Sequence, residues 1–334
     1  MFSRLKSMAA MLSVATIGLA AMPHSAQAQT VKVDGSSTVF PITEAVAEEF
    51  QIQKRGKVRV TVGIAGTGGG FKKFCRGETD VSDASRPILA AEMEVCRAAG
   101  IKYIELPIAY DALTVVVNPK ATWVDQITVA ELKKMWEPAA QGSVTKWNQI
   151  NPKWPAQPLK LFGPGSDSGT FDYFTEAVNG KAKSSRGDFT ASEDDNVLVQ
   201  GVTQDQYALG YFGYAYYAAN VGKMKALKIV NSSGQAVGPG EAAVLDGSYN
   251  PMSRPLFIYI NVDSLKKAEV KDFVEFYLSN AAQMSKEVKY VPLAAGAYDM
   301  AKQHVKNGKL GTVFGGEARV GLRVEDLLKM EAKQ

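Results

Sequence analysis

The chain has 334 residues, two cysteines, two histidines and a formal net charge of +4. This length accommodates one large or two medium domains, each with its own core, and the charge is too small to point to nucleic acid as a partner. The scarcity of histidine argues against a Ser-His-Asp triad and against a His-rich metal site.

Residues 1–28 read as a secretory signal. Arg4 and Lys6 form a basic start, Met8 to Ala21 is an apolar run, and Ala26-Gln-Ala28 is a small-x-small cleavage site. The run is short for a membrane span, and no lipobox cysteine accompanies it. Cleavage after Ala28 removes Arg4, Lys6 and His24, leaving a nearly neutral exported protein with His304 alone, expected at the surface. In an exported chain Cys75 and Cys96 read as a disulfide closing about twenty residues, a constraint of roughly 3 kcal/mol; two separate buried thiols are the alternative.

Val31 to Asp34 predicts a strand, and Asp34-Gly-Ser-Ser-Thr38 a loop handing over to a helix with Pro41 in its first turn and Ile42, Val46 and Phe50 on one face. Val58, Val60, Val62 and Ile64 alternate as a strand into a second loop, Gly66-Thr-Gly-Gly-Gly70, with a helical stretch starting at Phe71 and Phe74. Lys72 and Lys73 read as a solvated face. Asp80 to Ser85 reads as a short strand and turn stopped by Pro87, and Leu113 to Val117 as a buried strand. Thr128 to Trp136 predicts a helix with Val129, Leu132 and Trp136 inward, and 141–158 a surface loop. Leu159 to Phe162 leads into a third loop, Gly163-Pro-Gly-Ser-Asp-Ser-Gly-Thr170, followed by a helix through Phe171, Phe174 and Val178. The stretch 181–195 reads as loop, with Asp194, Asp195 and Asn196 starting a helix. Leu209 to Tyr214 and Leu256 to Ile260 read as strands, and Val270 to Leu278 as a helix. Strands alternating with helices imply an α/β fold with a largely parallel sheet.

Three hydroxyl- and glycine-rich loops before helices suit an oxyanion. The first turn of a helix leaves N–H groups unpaired with partial positive charge, and Ser or Thr adds a hydroxyl donor. Each loop also has a plain reading as an N-cap or a tight turn.

The segments Asp34 to Pro41, Gly66 to Lys72, Ser82 to Ile88 and Gly163 to Phe171 resemble those of periplasmic phosphate-binding proteins, the capture components of phosphate ABC transporters, and the similarity runs over the whole mature chain. The resemblance implies a type II binding-protein fold: two α/β lobes joined by two hinge strands, with phosphate closed between them. Residues 29–112 plus 257–334 would form the first lobe and 113–256 the second, with crossings near Tyr110 to Leu113 and Arg254 to Phe257. It implies ligands at Ser36, Ser37, Thr38, Thr67, Ser85, Ser166, Asp167, Ser168, Gly169 and Thr170. It implies no cofactor and no metal. The expected partners are inorganic phosphate and a membrane permease rather than nucleic acid, for a monomer in the periplasm.

Two positions depart from the enteric members of that family. Arg86 stands where an Asp follows the Ser of the third motif, and Pro164 stands where an Arg precedes the Ser-Gly-Thr. Arg86 is expected to supply the missing guanidinium to the anion. Asp83 and Asp167 are the candidates for the carboxylate that reads the phosphate proton and rejects sulfate. The rival readings are another oxyanion (sulfate, molybdate or tungstate) and a secreted phosphatase. No base is evident beside Ser37 or Ser168 for the phosphatase, and the third loop lacks a P-loop ending.

Overall fold

The computed structural model describes residues 29–333; the expected signal, 1–28, lies outside the described residues. The chain begins with β1 (Gln29–Gly35), α1 (Phe40–Gln53), β2 (Val58–Val62), α2 (Gly66–Phe74), β3 (Val81–Ala84) and α3 (Ala90–Ala98). β1 lies between β2 and β3, parallel to both. This is the arrangement expected when strands alternate with helices. The second glycine run is not a loop before the helix: it is the first turn of α2.

β4 (Tyr103–Val117) is fifteen residues long and buried throughout. Up to Ala112 it pairs antiparallel with β12 (Ser253–Asn261), which in turn pairs with β3. From Leu113 it pairs with β8 (Ala208–Gly213) instead. The short sequence run at 113–117 is thus the second half of a strand shared by two halves of the molecule.

The second half adds β5 (Gln126–Thr128), α4 (Val129–Trp136), β6 (Lys160–Gly163), α5 (Gly169–Asn179), β7 (Thr190–Ala191), α6 (Asp195–Gln204) and α7 (Tyr214–Ala218). Here β6 lies between β7 and β8, parallel to each. β9 (Lys225–Ala226) edges β4; β10 (Lys228–Val230) and β11 (Ala236–Val237) join β5 in a side sheet, followed by α8 (Glu241–Leu245). After β12 the chain returns to the first half as α9 (Ala268–Glu287), β13 (Val291–Pro292), α10 (Ala295–Asn307) and α11 (Val324–Glu331).

Leu132 and Trp136 of α4 point inward as expected, with Val129 half-buried. The stretch 141–158 is not purely surface: Trp147 is fully buried and meets Trp123 and Trp154 edge-on. These rings supply the core that its polar composition concealed. His304 is also buried, 3.6 Å from Glu331, because α11 covers it. Cys75 and Cys96 are joined in a disulfide. No helix among the described residues is long and apolar enough to cross a membrane.

Candidate functional site: an oxyanion cleft between two halves

Gly35 ends β1 at φ +147°, where a Cβ would sit 2.1 Å from the Asp83 carbonyl oxygen; only glycine lets β1 and β3 meet so closely. The Ser36 N–H donates to that carbonyl at 3.0 Å. Ser36, Ser37 and Thr38 are all buried, yet none caps α1: the N-cap residue is Val39 and no side chain bonds there. The hydroxyls therefore remain for other partners. Tyr216 and Tyr290 donate to the Ser37 and Thr38 carbonyls at 2.8 and 2.6 Å, which fixes the loop from behind.

The third loop meets the first two across the cleft. Thr38 Oγ1 lies 2.9 Å from Thr170 Oγ1. The Gly68 N–H, in the first turn of α2, donates to the Asp167 carbonyl at 2.7 Å. Thr67 and Ser85 bond each other at 3.1 Å. A Cβ on Gly169 would stand 2.5 Å from Thr67 Oγ1 and 2.6 Å from Ser85 Oγ, so α5 can start there only with glycine. Ser168 is the N-cap of α5 and accepts from the Thr170 N–H at 3.1 Å. Capping uses its oxygen as acceptor and leaves its O–H to donate.

At the junction of the halves sits Arg254, fully buried on β12 and directly opposite Asp111 of β4. Its Nη2 reaches Asp111 Oδ2 at 3.1 Å, Thr170 Oγ1 at 2.7 Å and Thr38 Oγ1 at 3.3 Å; Nη1 donates to the Gly169 carbonyl at 3.2 Å. The Tyr214 N–H fills the other Asp111 oxygen at 3.1 Å. Burial raises the Asp111 carboxyl, and Arg254 opposes that rise. Both threonine oxygens accept from the guanidinium and one hydroxyl donates to the other, so one of the two threonine protons is left to point at an anion.

A second buried cation joins the halves. Arg86 follows β3 and its Nε donates to Asp172 Oδ2 of α5 at 2.7 Å, while both terminal nitrogens grip Glu92 at 2.8 Å. Nη1 also donates to the Pro87 carbonyl.

The chain matches the model of a PBP superfamily domain over residues 20–281. It is 54% identical over 331 residues to protein SphX of Synechococcus elongatus, covering 98% of this chain and 97% of that protein. It is 38% identical to the phosphate-binding protein PstS of Staphylococcus saprophyticus, covering 86% of each chain. Among solved structures, a possible phosphate-binding protein from Planctomyces limnophilus superposes with TM-score 0.62 at 49% identity, covering 84% of this chain and 99% of that one. The chain belongs to the PBP superfamily, among the PstS-like phosphate-binding proteins.

For a member of this family the sequence-predicted residues divide clearly. Thr38, Thr67, Ser85, Ser168, Gly169 and Thr170 come together, with Ser36 and Ser37 in the turn behind them. Arg86 reaches the cleft with nearly all its donors committed: one N–H on Nη2 remains, and Nη2 lies 3.7 Å from where a Gly68 Cβ would be. Ser166 is exposed, with its carbonyl held by Lys183 Nζ at 3.1 Å, so it lies outside the cleft interior.

Neither expected proton reader faces the interior. Asp167 is half-exposed at the rim, and its carboxylate is taken by Lys72 Nζ at 2.7 and 3.0 Å, so Lys72 is a tie between halves rather than a solvated face. Lys73 likewise pairs with Asp34 at 2.5 Å. Asp83 is buried on the side of Thr43 and α1; burial pushes it up to about 8, with the Thr43 hydroxyl opposing the rise. Arg254, Asp111, Asp172 and Glu92 were not read from the sequence as site residues. Their signal was available in part: Asp111 and Arg254 are charges inside otherwise apolar strands, which fold only if paired. Among the described residues, no group of three or more His, Cys, Asp or Glu side chains is placed to hold a metal ion.

Proposed function

We propose that this protein captures inorganic phosphate between its two halves and hands it to the membrane permease of an ABC transporter. The observation that carries this reading is the convergence of Thr38, Thr67, Ser85 and Thr170 from both halves around the Arg254–Asp111 pair. Hydroxyl donors, helix starts and a counterbalanced guanidinium suit a small tetrahedral anion. The names of the PstS relatives point to the same ligand. The ligand set is read as Ser36, Ser37, Thr38, Thr67, Ser85, Ser168, Gly169 and Thr170, with Arg254 added and one N–H from Arg86.

The site is read as binding without chemistry. Its hydroxyls are paired with each other, with N–H groups and with Arg254, not with a base that would activate a nucleophile. The lobes are read as 29–112 plus 257–334 and 113–256. The switch of β4 from β12 to β8 after Ala112 supports the first crossing; β12 already pairs with β4 at Ser253, which moves the return crossing a few residues earlier. Export to the periplasm accords with the Cys75–Cys96 disulfide, since such bonds persist in oxidising compartments. A monomer with no nucleic-acid partner completes the reading.

Isothermal titration of phosphate-stripped protein with phosphate and then sulfate tests it. One-to-one phosphate binding is expected. Binding of sulfate or molybdate without phosphate would replace the ligand, and silence with every oxyanion would overturn the reading.

A further inference from the structure

After α10 the chain is fastened first to one half of the molecule and then to the other. The Gly311 N–H donates to the Tyr103 carbonyl at 2.9 Å, and the Gly316 carbonyl accepts from the Ala90 N–H at 3.0 Å. Between them, Thr312 Oγ1 and the Val313 N–H donate to Glu105 Oε1 at 2.8 and 3.2 Å, and Phe314 meets Phe257 edge-on. All these partners lie in the first half. A few residues on, the Gly321 N–H donates to the Tyr173 hydroxyl of α5 at 2.9 Å, and the Gly321 carbonyl accepts from Asn250 Nδ2 at 3.3 Å. Both of these partners lie in the second half. α11 then returns to the first half, with Leu327 fully buried and Glu331 3.6 Å from His304 of α10.

Tyr173 connects this crossing to the oxyanion site. Its hydroxyl lies 2.8 and 2.7 Å from the Pro251 and Ser253 carbonyls, where β12 begins. Its ring lies 5.5 Å from the Arg254 guanidinium carbon, close enough to orient that cation. Arg254 in turn holds Thr38 and Thr170.

We propose that residues 311–323 form a strap over the junction of the halves that fastens as the cleft closes, and that Tyr173 is the positioning residue joining the strap to Arg254. This rests on the phosphate reading above and deepens it by adding a tie between the halves beside β4 and β12. Gly321 is held to the first half on both sides, at Gly316 and through α11, whereas Tyr173 and Asn250 move with the second half. Opening therefore separates Gly321 from Tyr173, and closure restores the bond. The phosphate that draws the halves together also orders the strap, and by reciprocity the strap strengthens phosphate binding.

The test is hydrogen exchange of the purified protein over residues 317–323, with and without inorganic phosphate, beside calorimetric titration with phosphate. The proteins compared are wild type, Tyr173→Phe and Gly321→Ala. In the wild type, phosphate slows exchange in the strap. Tyr173→Phe keeps the ring against Arg254 and loses the hydroxyl. Losing one neutral hydrogen bond weakens phosphate binding about 2- to 12-fold, and phosphate no longer slows exchange in the strap. Gly321→Ala alters the strap alone: at φ +69° its Cβ would stand 2.4 Å from Asn250 Nδ2. It gives the same two results while leaving the Tyr173 bonds to Pro251 and Ser253 in place. Strap exchange indifferent to phosphate in the wild type would overturn the proposal. So would a loss of affinity confined to Tyr173→Phe, which would place the effect in β12, or unchanged affinity in both variants. The wild-type exchange decides even if neither variant folds. Absence of phosphate binding by the wild type in the calorimeter would instead remove the functional reading on which the proposal rests.

Discussion

The Arg86–Asp172 bond crosses from one half to the other, so it forms only when the cleft closes, and neutralising Asp172 tests whether it latches the closed form. Both side chains are 2% exposed and the contact is 2.7 Å. A hydrogen bond between charged groups contributes about 1.5–3 kcal/mol. Removing one partner of a buried pair costs about 3–5 kcal/mol when the other is stranded, but Glu92 keeps Arg86 paired within its own half. The lower range therefore applies, and Asp172→Asn should weaken phosphate binding by about 10- to 150-fold. The loss should appear mainly in the dissociation rate by stopped flow, with the ligand-free melting temperature little changed, because the bond is absent from the open form. The Lys72–Asp167 tie is the internal control. Its side chains are 61% and 38% exposed, so it is worth about 0–1 kcal/mol, and Lys72→Ala should cost less than about fivefold. If Asp172→Asn binds within about threefold of wild type, closure does not depend on this bond and Arg86 has no latching role.

The other predictions follow from the same geometry. Arg254→Met strands the fully buried Asp111 and should destabilise folding by about 3–5 kcal/mol in denaturant titration, whereas the double variant with Asp111→Asn should regain part of the stability but not phosphate affinity. Gly169→Ala places a methyl 2.5 Å from Thr67 Oγ1 and should hold the halves apart, weakening binding at least about tenfold with circular dichroism unchanged; unimpaired binding would mean α5 can shift to admit it. Burial pushes Glu331 from 4.5 up to about 8, so the folded protein holds a proton that the unfolded chain releases. That contribution is complete below about 4.5 and is lost as pH rises through about 8, at up to about 1.4 kcal/mol per pH unit; Glu331→Gln should flatten the slope of stability against pH in that window.

The hydroxyl motifs were legible because each is local: a strand end, a turn and a helix start within about eight residues carry the chemistry together. The paired charges were not, because their partners are far apart in sequence. Arg254 and Asp111 are 143 residues apart and meet only through the register of β12 on β4. Asp172 lies one turn into α5 and reads as a polar position of an amphipathic helix until Arg86 is placed beside it. Gly66 to Gly70 misled in the opposite sense. Glycine has low helix propensity, yet the run is helical, and glycine is needed there because a Cβ on Gly66 would lie 2.7 Å from the Asp167 carbonyl oxygen and one on Gly70 would lie 2.6 Å from Gly35 Cα. Tertiary approach overrode local preference there, and the same reason makes the run informative about the cleft.

The charges of the cleft are arranged so that no cation is left over for the ligand. Arg254 is balanced by Asp111, and Arg86 by Asp172 and Glu92. A divalent anion entering this site would be met by hydroxyl dipoles and by the unpaired N–H groups of helix starts, all buried, rather than by a free positive field. Such short-range dipoles are poorly screened by salt, whereas attraction between exposed charges beyond about 10 Å is strongly screened at 0.1 M ionic strength. Raising ionic strength from roughly 0.05 to 0.5 M should therefore change phosphate affinity by less than about threefold, and with a nearly neutral protein the association rate should be equally insensitive. A steep loss of affinity with salt, measured by titration with an inert salt such as potassium chloride, would show that an unbalanced cation faces the anion. Arg86 and Arg254 would then be the residues to re-examine, since one N–H on Arg86 Nη2 and one on Arg254 Nη1 are buried guanidinium donors beyond those held by a carboxylate, a carbonyl or a hydroxyl.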